Sequence, residues 1–166
     1  MRLEYIRDFY RLSERIGTAG QPTREQFDAV ADAGYEVVLN LAPYRDGSGA
    51  LADEAELVAA RGMQYAHIPV DWDAPRPEDA DAFFAAMRAH AGRKLFVHCI
   101  ANRRVSAFLY LYRVLCEDVP EAVAARDLHR LWTPTGVWGE FLTAVRSRKR
   151  TGERRGENED TGGGGG

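Results

Sequence analysis

Cysteine is scarce in this chain. Two cysteines among 166 residues cannot make a disulfide framework, and nothing in them points to an oxidising compartment. Long apolar runs are missing too: the longest, from Val105 to Tyr112, is broken by Ser106 and stopped by Arg113, far short of a bilayer span. The opening residues, Met1 to Gly17, are salted with charge and lack the apolar core of a secretory signal, so cytoplasm is the expected location. There is no surplus of one charge either. A net charge of −3 removes the whole-molecule argument for nucleic acid or an anionic membrane as partner. His67, His90 and His129 show no metal-ligand spacing, so neither a metal nor a cofactor is expected.

What is present is the balance of an ordinary globular domain. Hydrophobic residues make up 45% and charged residues 28%, in a chain long enough to bury a real core. Residues 11–18 read as a short first strand. Thr23 and Gln26 form a capping-box pair ahead of a helix bearing Phe27, Val30 and Ala31, which Gly34 ends. The β-branched run from Glu36 to Ala42 suits a buried strand. A helix over 51–61, a strand over 64–70, a loop "DWDAPRP" and a helix opening at Pro77 follow. Lys94 to His98 is the fourth strand, and the helix after Cys99 is apolar nearly all round, as a buried helix is. Two more helices begin near Pro120 and Thr133, the last with Trp138, Phe141, Leu142 and Val145 at helical spacing. Trp132 and Trp138 are expected in the core. Residues 149–166, charged and then glycine-only, read as a disordered tail behind a domain over 1–148. Alternating strands and helices argue an α/β fold with a mostly parallel sheet.

The chemistry concentrates in "FVHCIANRRVSAF", residues 96–108. Ligands of open α/β sheets bind beyond the carboxyl ends of strands, and Cys99 sits at such an end, just before a helix N-terminus. Unpaired N–H groups and the helix dipole there attract an anion and favour a thiolate, the nucleophilic form of cysteine. Asn102 suits a turn that needs φ > 0. Arg103 and Arg104 offer guanidinium forks for phosphate oxygens, and Ser106 can donate to the sulfur. Ile100, Ala101, Asn102, Arg103 and Val105 would supply the anion-binding backbone, with His98 orienting the loop from behind. Arg45 and Arg76 follow strand-like runs and can line the mouth. Cys116 lies roughly 18 Å further along the helix, too far to pair with Cys99, and reads as core.

"HCIANRRVS" resembles the His-Cys-x5-Arg-Ser/Thr signature of cysteine-dependent tyrosine and dual-specificity phosphatases. With "TAGQPT" (18–23), "HIPVDWDAP" (67–75) and "LWTPTGVWGEF" (131–141), the chain over about 10–145 is similar to a bacterial family of small tyrosine-phosphatase-like domains. The resemblance implies a three-layer α/β fold with four to five strands. It also implies a cysteinyl-phosphate intermediate, no metal, and a phosphorylated protein or small phosphomonoester as substrate. It departs from the signature at one place: the sixth residue after Cys99 is Val105, so the arginine stands one position early, at Arg104. One residue of helix is about 100° and ~1.5 Å, enough to aim the fork elsewhere unless the loop is a residue tighter. The general acid such an enzyme needs is Asp71 or Asp73, and the resemblance favours Asp71. Two other readings stay open, a phosphate-binding module without turnover and a rhodanese-like thiol enzyme.

Overall fold

Alternation within the strands decides the layers. In β3 (Val37–Asn40), Val37 and Leu39 face one core while Val38 faces another; in β5 (Leu95–His98), Leu95 and Val97 part from Phe96 in the same way. Both strands are fully buried, so both faces must be covered, and helices cover them. The structure, a computed structural model, describes residues 2–160, with side chains through residue 148.

The sheet has five strands in the order β1-β2-β5-β3-β4, where β1 is Tyr10–Arg11, β2 is Ile16–Ala19 and β4 is Gln64–His67. All neighbours pair in parallel except β1, which lies antiparallel on the edge. One layer holds the turn at Leu3–Tyr5, α1 (Gln26–Asp32) and α2 (Glu54–Ala60), with Phe27, Val30 and Val58 inward. The other holds α3 (Pro77–Ala89), α4 (Arg103–Cys116), α5 (Glu121–His129) and α6 (Gly136–Asp160), with Phe83, Phe108, Leu111, Leu128, Trp138 and Phe141 inward. The chain is thus a three-layer α/β fold with a mostly parallel sheet. No helix among the described residues is long and apolar enough to cross a membrane.

Several boundaries differ from the sequence reading. The single strand expected over 11–18 is a hairpin: Ser13, Glu14 and Arg15 turn the chain, and Ser13 Oγ accepts from the Ile16 N–H at 3.0 Å. Pro69 has no N–H to give the ladder, so β4 ends at His67, although Ile68 and Val70 still bond to Asn40 and Leu41. The capping box at Thr23 and Gln26 forms in both directions. At the other end the backbone of residues 149–160 continues α6, in a stretch rich in the good helix formers Arg, Lys and Glu. The remainder of the expected tail, 161–166, lies outside the described residues.

Candidate active site

Strands β2, β3 and β5 bring their carboxyl ends together, and the chain leaves β5 at His98 into the loop Cys99–Asn102. Neighbouring segments hold that loop by its backbone. The Gln21 N–H donates to the Ile100 carbonyl at 3.0 Å, and Gly20 bridges to Ala101. An added Cβ at Gly20 would overlap the Ile100 carbonyl oxygen, so only glycine permits this approach. Asn102 takes the left-handed conformation (φ 59°, ψ 14°) that lets α4 begin at Arg103. Its Nδ2 donates at 2.9 Å both to Thr18 Oγ1 and to the Asp8 carbonyl. Asparagine therefore makes the turn and also ties it to β2 and to the N-terminal segment.

Behind the loop, His98 is fully buried. Its Nδ1 lies 3.1 Å from the Cys99 carbonyl and its Nε2 lies 2.7 Å from Glu54 Oε2. Glu54 is 2% exposed and also accepts from Gln21 Nε2 at 2.8 Å. Burial alone would raise the Glu54 carboxyl, but the His98 ring and hydrogen bonds from His98, Gln21 and Tyr65 outweigh it and hold the pKa below its ordinary value. The chain from Gln21 through Glu54 to His98 fixes the ring, and through the ring the carbonyl of Cys99.

Above the loop is a pocket of about 320 Å³ lined by Arg7, Trp72, Cys99, Ile100, Ala101, Arg103 and Arg104. Cys99 is 1% exposed and forms part of its floor. Arg104 is 8% exposed, and its Nη1 donates to the Val70 carbonyl at 2.9 Å. One of its five N–H donors is thus tied to the end of the β4 segment, on a side chain that lines the thiol's own pocket. Val105 is wholly buried in the core. With α4 beginning at Arg103, Arg104 lines the pocket and Val105 faces the core. Arg103 is exposed, with its guanidinium carbon 5.8 Å from the centroid of the Trp132 ring.

Other expected site residues lie differently. Asp71 Oδ1 accepts from the Asp73 N–H at 2.9 Å and stands 3.7 Å from Arg45 Nη2. Neither Asp71 nor Asp73 lines the pocket; Trp72 between them does. The turn closed by the Asp73 N–H to Asp71 Oδ1 and the Ala74 N–H to the Asp71 carbonyl sends Trp72 inward. Its ring centroid lies 5.5 and 5.3 Å from those of Trp132 and Trp138 in tilted contacts, and its carbonyl accepts from Trp138 Nε1. Ser106 was expected to serve the sulfur. Instead its hydroxyl donates to the Arg103 carbonyl at 3.0 Å and accepts from Trp132 Nε1 at 2.9 Å, because a first-turn serine finds its own i−3 carbonyl nearer. Arg76 is occupied with Asp79 at the start of α3. Cys116, partly buried, packs against the core, as Trp132 does; Trp138 is 3% exposed. No group of three His, Cys, Asp or Glu among the described residues is placed to hold a metal.

Sequence reasoning missed Arg7 and Glu54. Arg7 carries no signal, since it sits in a charged leader with no periodicity. Glu54 looks like any first-turn acid of a helix, and only the packing of α2 on the sheet brings it to His98.

Comparison with known proteins bears on the family and the fold. The family model "Beta-lactamase hydrolase-like protein, phosphatase-like domain" matches residues 8–115. A Beta-lactamase hydrolase-like protein of Xylella fastidiosa (strain Temecula1) is 31% identical over 106 residues, 63% of this chain and 24% of that protein. One of Agrobacterium fabrum (strain C58) is 31% identical over 120 residues, 71% of this chain and 27% of that protein. The chain thus spans about a quarter of the length of the curated relatives it matches. A crystal structure of a DUF442 protein from Shewanella putrefaciens CN-32, provisionally assigned as a phosphatase, superposes with a TM-score of 0.79. It is 38% identical, over 89% of this chain and 96% of that one. Tk-PTP in its active form shares the fold at a TM-score of 0.71 and 19% identity, over 85% and 97% of the two chains.

Proposed function

This chain belongs to the family of the phosphatase-like domain of beta-lactamase hydrolase-like proteins, and from that premise we propose that it is a cysteine-dependent phosphomonoester phosphatase. One observation carries the reading: Cys99 lies in the floor of a pocket at the N-terminus of α4, and Arg104 lines the same pocket. The backbone from Ile100 to Val105 and the dipole of α4 cradle the phosphate. Arg104 neutralises the equatorial oxygens, where charge gathers in the transition state. The Cys99 thiolate attacks phosphorus, the bond to the ester oxygen breaks, and Asp71 gives that oxygen its proton. Water then cleaves the S–P bond, releasing phosphate and restoring the thiolate.

For Asp71 to act, it must leave Arg45 and the Asp73 N–H, and the Trp72 turn must rotate over the pocket. That requirement favours a second reading, a domain that binds phosphorylated ligands without turnover. Phosphate release from an aryl phosphate between pH 5 and 7 separates them. Wild type turns over and Cys99→Ser does not, while both bind vanadate or phosphate. A wild-type protein that binds phosphate without releasing any from the ester is a binding module.

A further inference from the structure

The pocket over Cys99 carries more positive charge than one phosphate requires. Three of its lining residues are arginines and, among the described residues, none is acidic. A single phosphate on the loop is served by backbone N–H groups, the α4 dipole and Arg104. Arg7 and Arg103 are then left over, at the rim of a 320 Å³ pocket with room beside the first anion.

Arg7 is held there by its backbone. Its carbonyl accepts from the Gly20 N–H at 2.7 Å, and the next carbonyl, of Asp8, accepts from Asn102 Nδ2 at 2.9 Å. Asp8 adopts a left-handed φ of 52° between these two bonds, a conformation costly for a residue with a side chain. The N-terminal segment is thus fastened, against local strain, to the residue that turns the thiol loop. The Arg7 side chain is 60% exposed and its ion-pair contact is a 3.5 Å one from Nε to the solvent-exposed Asp8, so the outer end of its fork is available to a ligand. Arg103 is steadied from the other side by the face of Trp132.

We propose that Arg7 and Arg103 form a second phosphate subsite beside the Cys99 loop, so that the substrate is a small organic molecule carrying two phosphates close together. This rests on the reading of the Cys99 loop as a phosphate site. The shared chemistry is a pair of phosphates within one pocket width, as in an organic diphosphate or a vicinal bisphosphate. A guanidinium fork matches phosphate oxygens in pairs, and two such forks add charge-assisted hydrogen bonds that a monophosphate cannot collect.

Titration of the Cys99→Ser protein with inorganic phosphate and with pyrophosphate, at fixed ionic strength, tests it. Pyrophosphate is expected to bind tighter by about ten-fold or more. Arg7→Ala and Arg103→Ala in the Cys99→Ser background should each shrink that ratio, with circular dichroism and melting temperature showing the fold intact. Arg93→Ala makes the same charge change at an exposed residue beyond the opposite ends of the strands, and should leave the ratio alone. Equal binding of the two anions overturns the proposal, as does a ratio that Arg93→Ala lowers as much as Arg7→Ala. Titration with methylene diphosphonate and with a vicinal sugar bisphosphate then tells the two sources apart by which binds tighter; both binding more weakly than inorganic phosphate overturns the proposal. Phenyl phosphate turnover by wild type reads the phosphatase assignment separately. Pyrophosphate preference without turnover keeps the subsite and sinks the phosphatase, and turnover without preference does the reverse.

Discussion

Arg103 and Arg104 are neighbours in sequence and opposites in surroundings. Arg104 is buried, anchored on Val70, and lines the thiol's pocket; Arg103 is open to solvent over Trp132. Arg104→Ala should therefore lower kcat on an aryl phosphate by about 10²–10³, the usual loss for one donor to a developing oxyanion, and Arg103→Ala by much less. Equal, mild losses in steady-state assays would mean that the free donors of Arg104 do not meet the phosphate. Val105 sharpens the point. It stands where the common signature has its arginine, but it is wholly enclosed by the core. Val105→Arg should not rescue anything. It would bury an unpaired guanidinium at a cost above about 3 kcal/mol, read as a large drop in the urea midpoint. The residue types of the site were legible in "HCIANRRVS" because thiol, turn former and guanidinium are specific chemistry. Which atoms they touch was not, as Ser106 shows: its hydroxyl bonds Arg103 and Trp132 rather than the sulfur.

The thiol loop and the Trp72 turn are elements whose shape is set by neighbours. Gly20 lets β2 press its backbone onto the Ile100 carbonyl. Gly20→Ala should push that carbonyl aside and weaken phosphate binding in titration, with the circular dichroism spectrum retained. The Trp72 turn is held by the Trp138 N–H to its carbonyl and by two indoles in tilted contact with its ring. Trp138→Phe keeps a ring in place but removes the donor, at a cost of about 1 kcal/mol. Amide exchange at Asp73, whose N–H is bonded to Asp71 Oδ1, should quicken; unchanged exchange would mean that the ring contacts alone hold the turn. Elements of this molecule were readable in proportion to their periodicity. The fourteen residues of α4 carry four turns of apolar pattern, whereas β1 has two residues and no period to detect. The split of 11–18 into a hairpin followed from one serine hydroxyl and three polar residues, too little to distinguish from a strand by pattern.

Across the whole molecule, the pair Glu54–His98 joins the α2 layer to the strand that leads into the thiol loop. Glu54 has its folded pKa depressed below the ordinary 4.5, so its contribution to stability is complete above that pH. It is lost as pH falls from 4.5 through the depressed value. Thermal unfolding should show an acid limb in that window, and Glu54→Gln should flatten it. Glu54→Ala leaves a buried His98 ring nitrogen without its hydrogen-bond partner and should cost about 1–3 kcal/mol at neutral pH, with loss of phosphate binding as the loop behind Cys99 loosens. A flat acid limb in wild type would overturn the assignment. The amino-acid sequence by itself determined the α/β alternation, the location of the thiol between β5 and α4, and Asn102 as the turn, because backbone propensity and residue chemistry are local. Only the tertiary structure decided that Glu54 meets His98, that Arg7 reaches the pocket from ninety-odd residues before the thiol, and that Trp72 rather than its flanking aspartates faces the site. Those contacts depend on which faces pack when three layers close, and no local period encodes that.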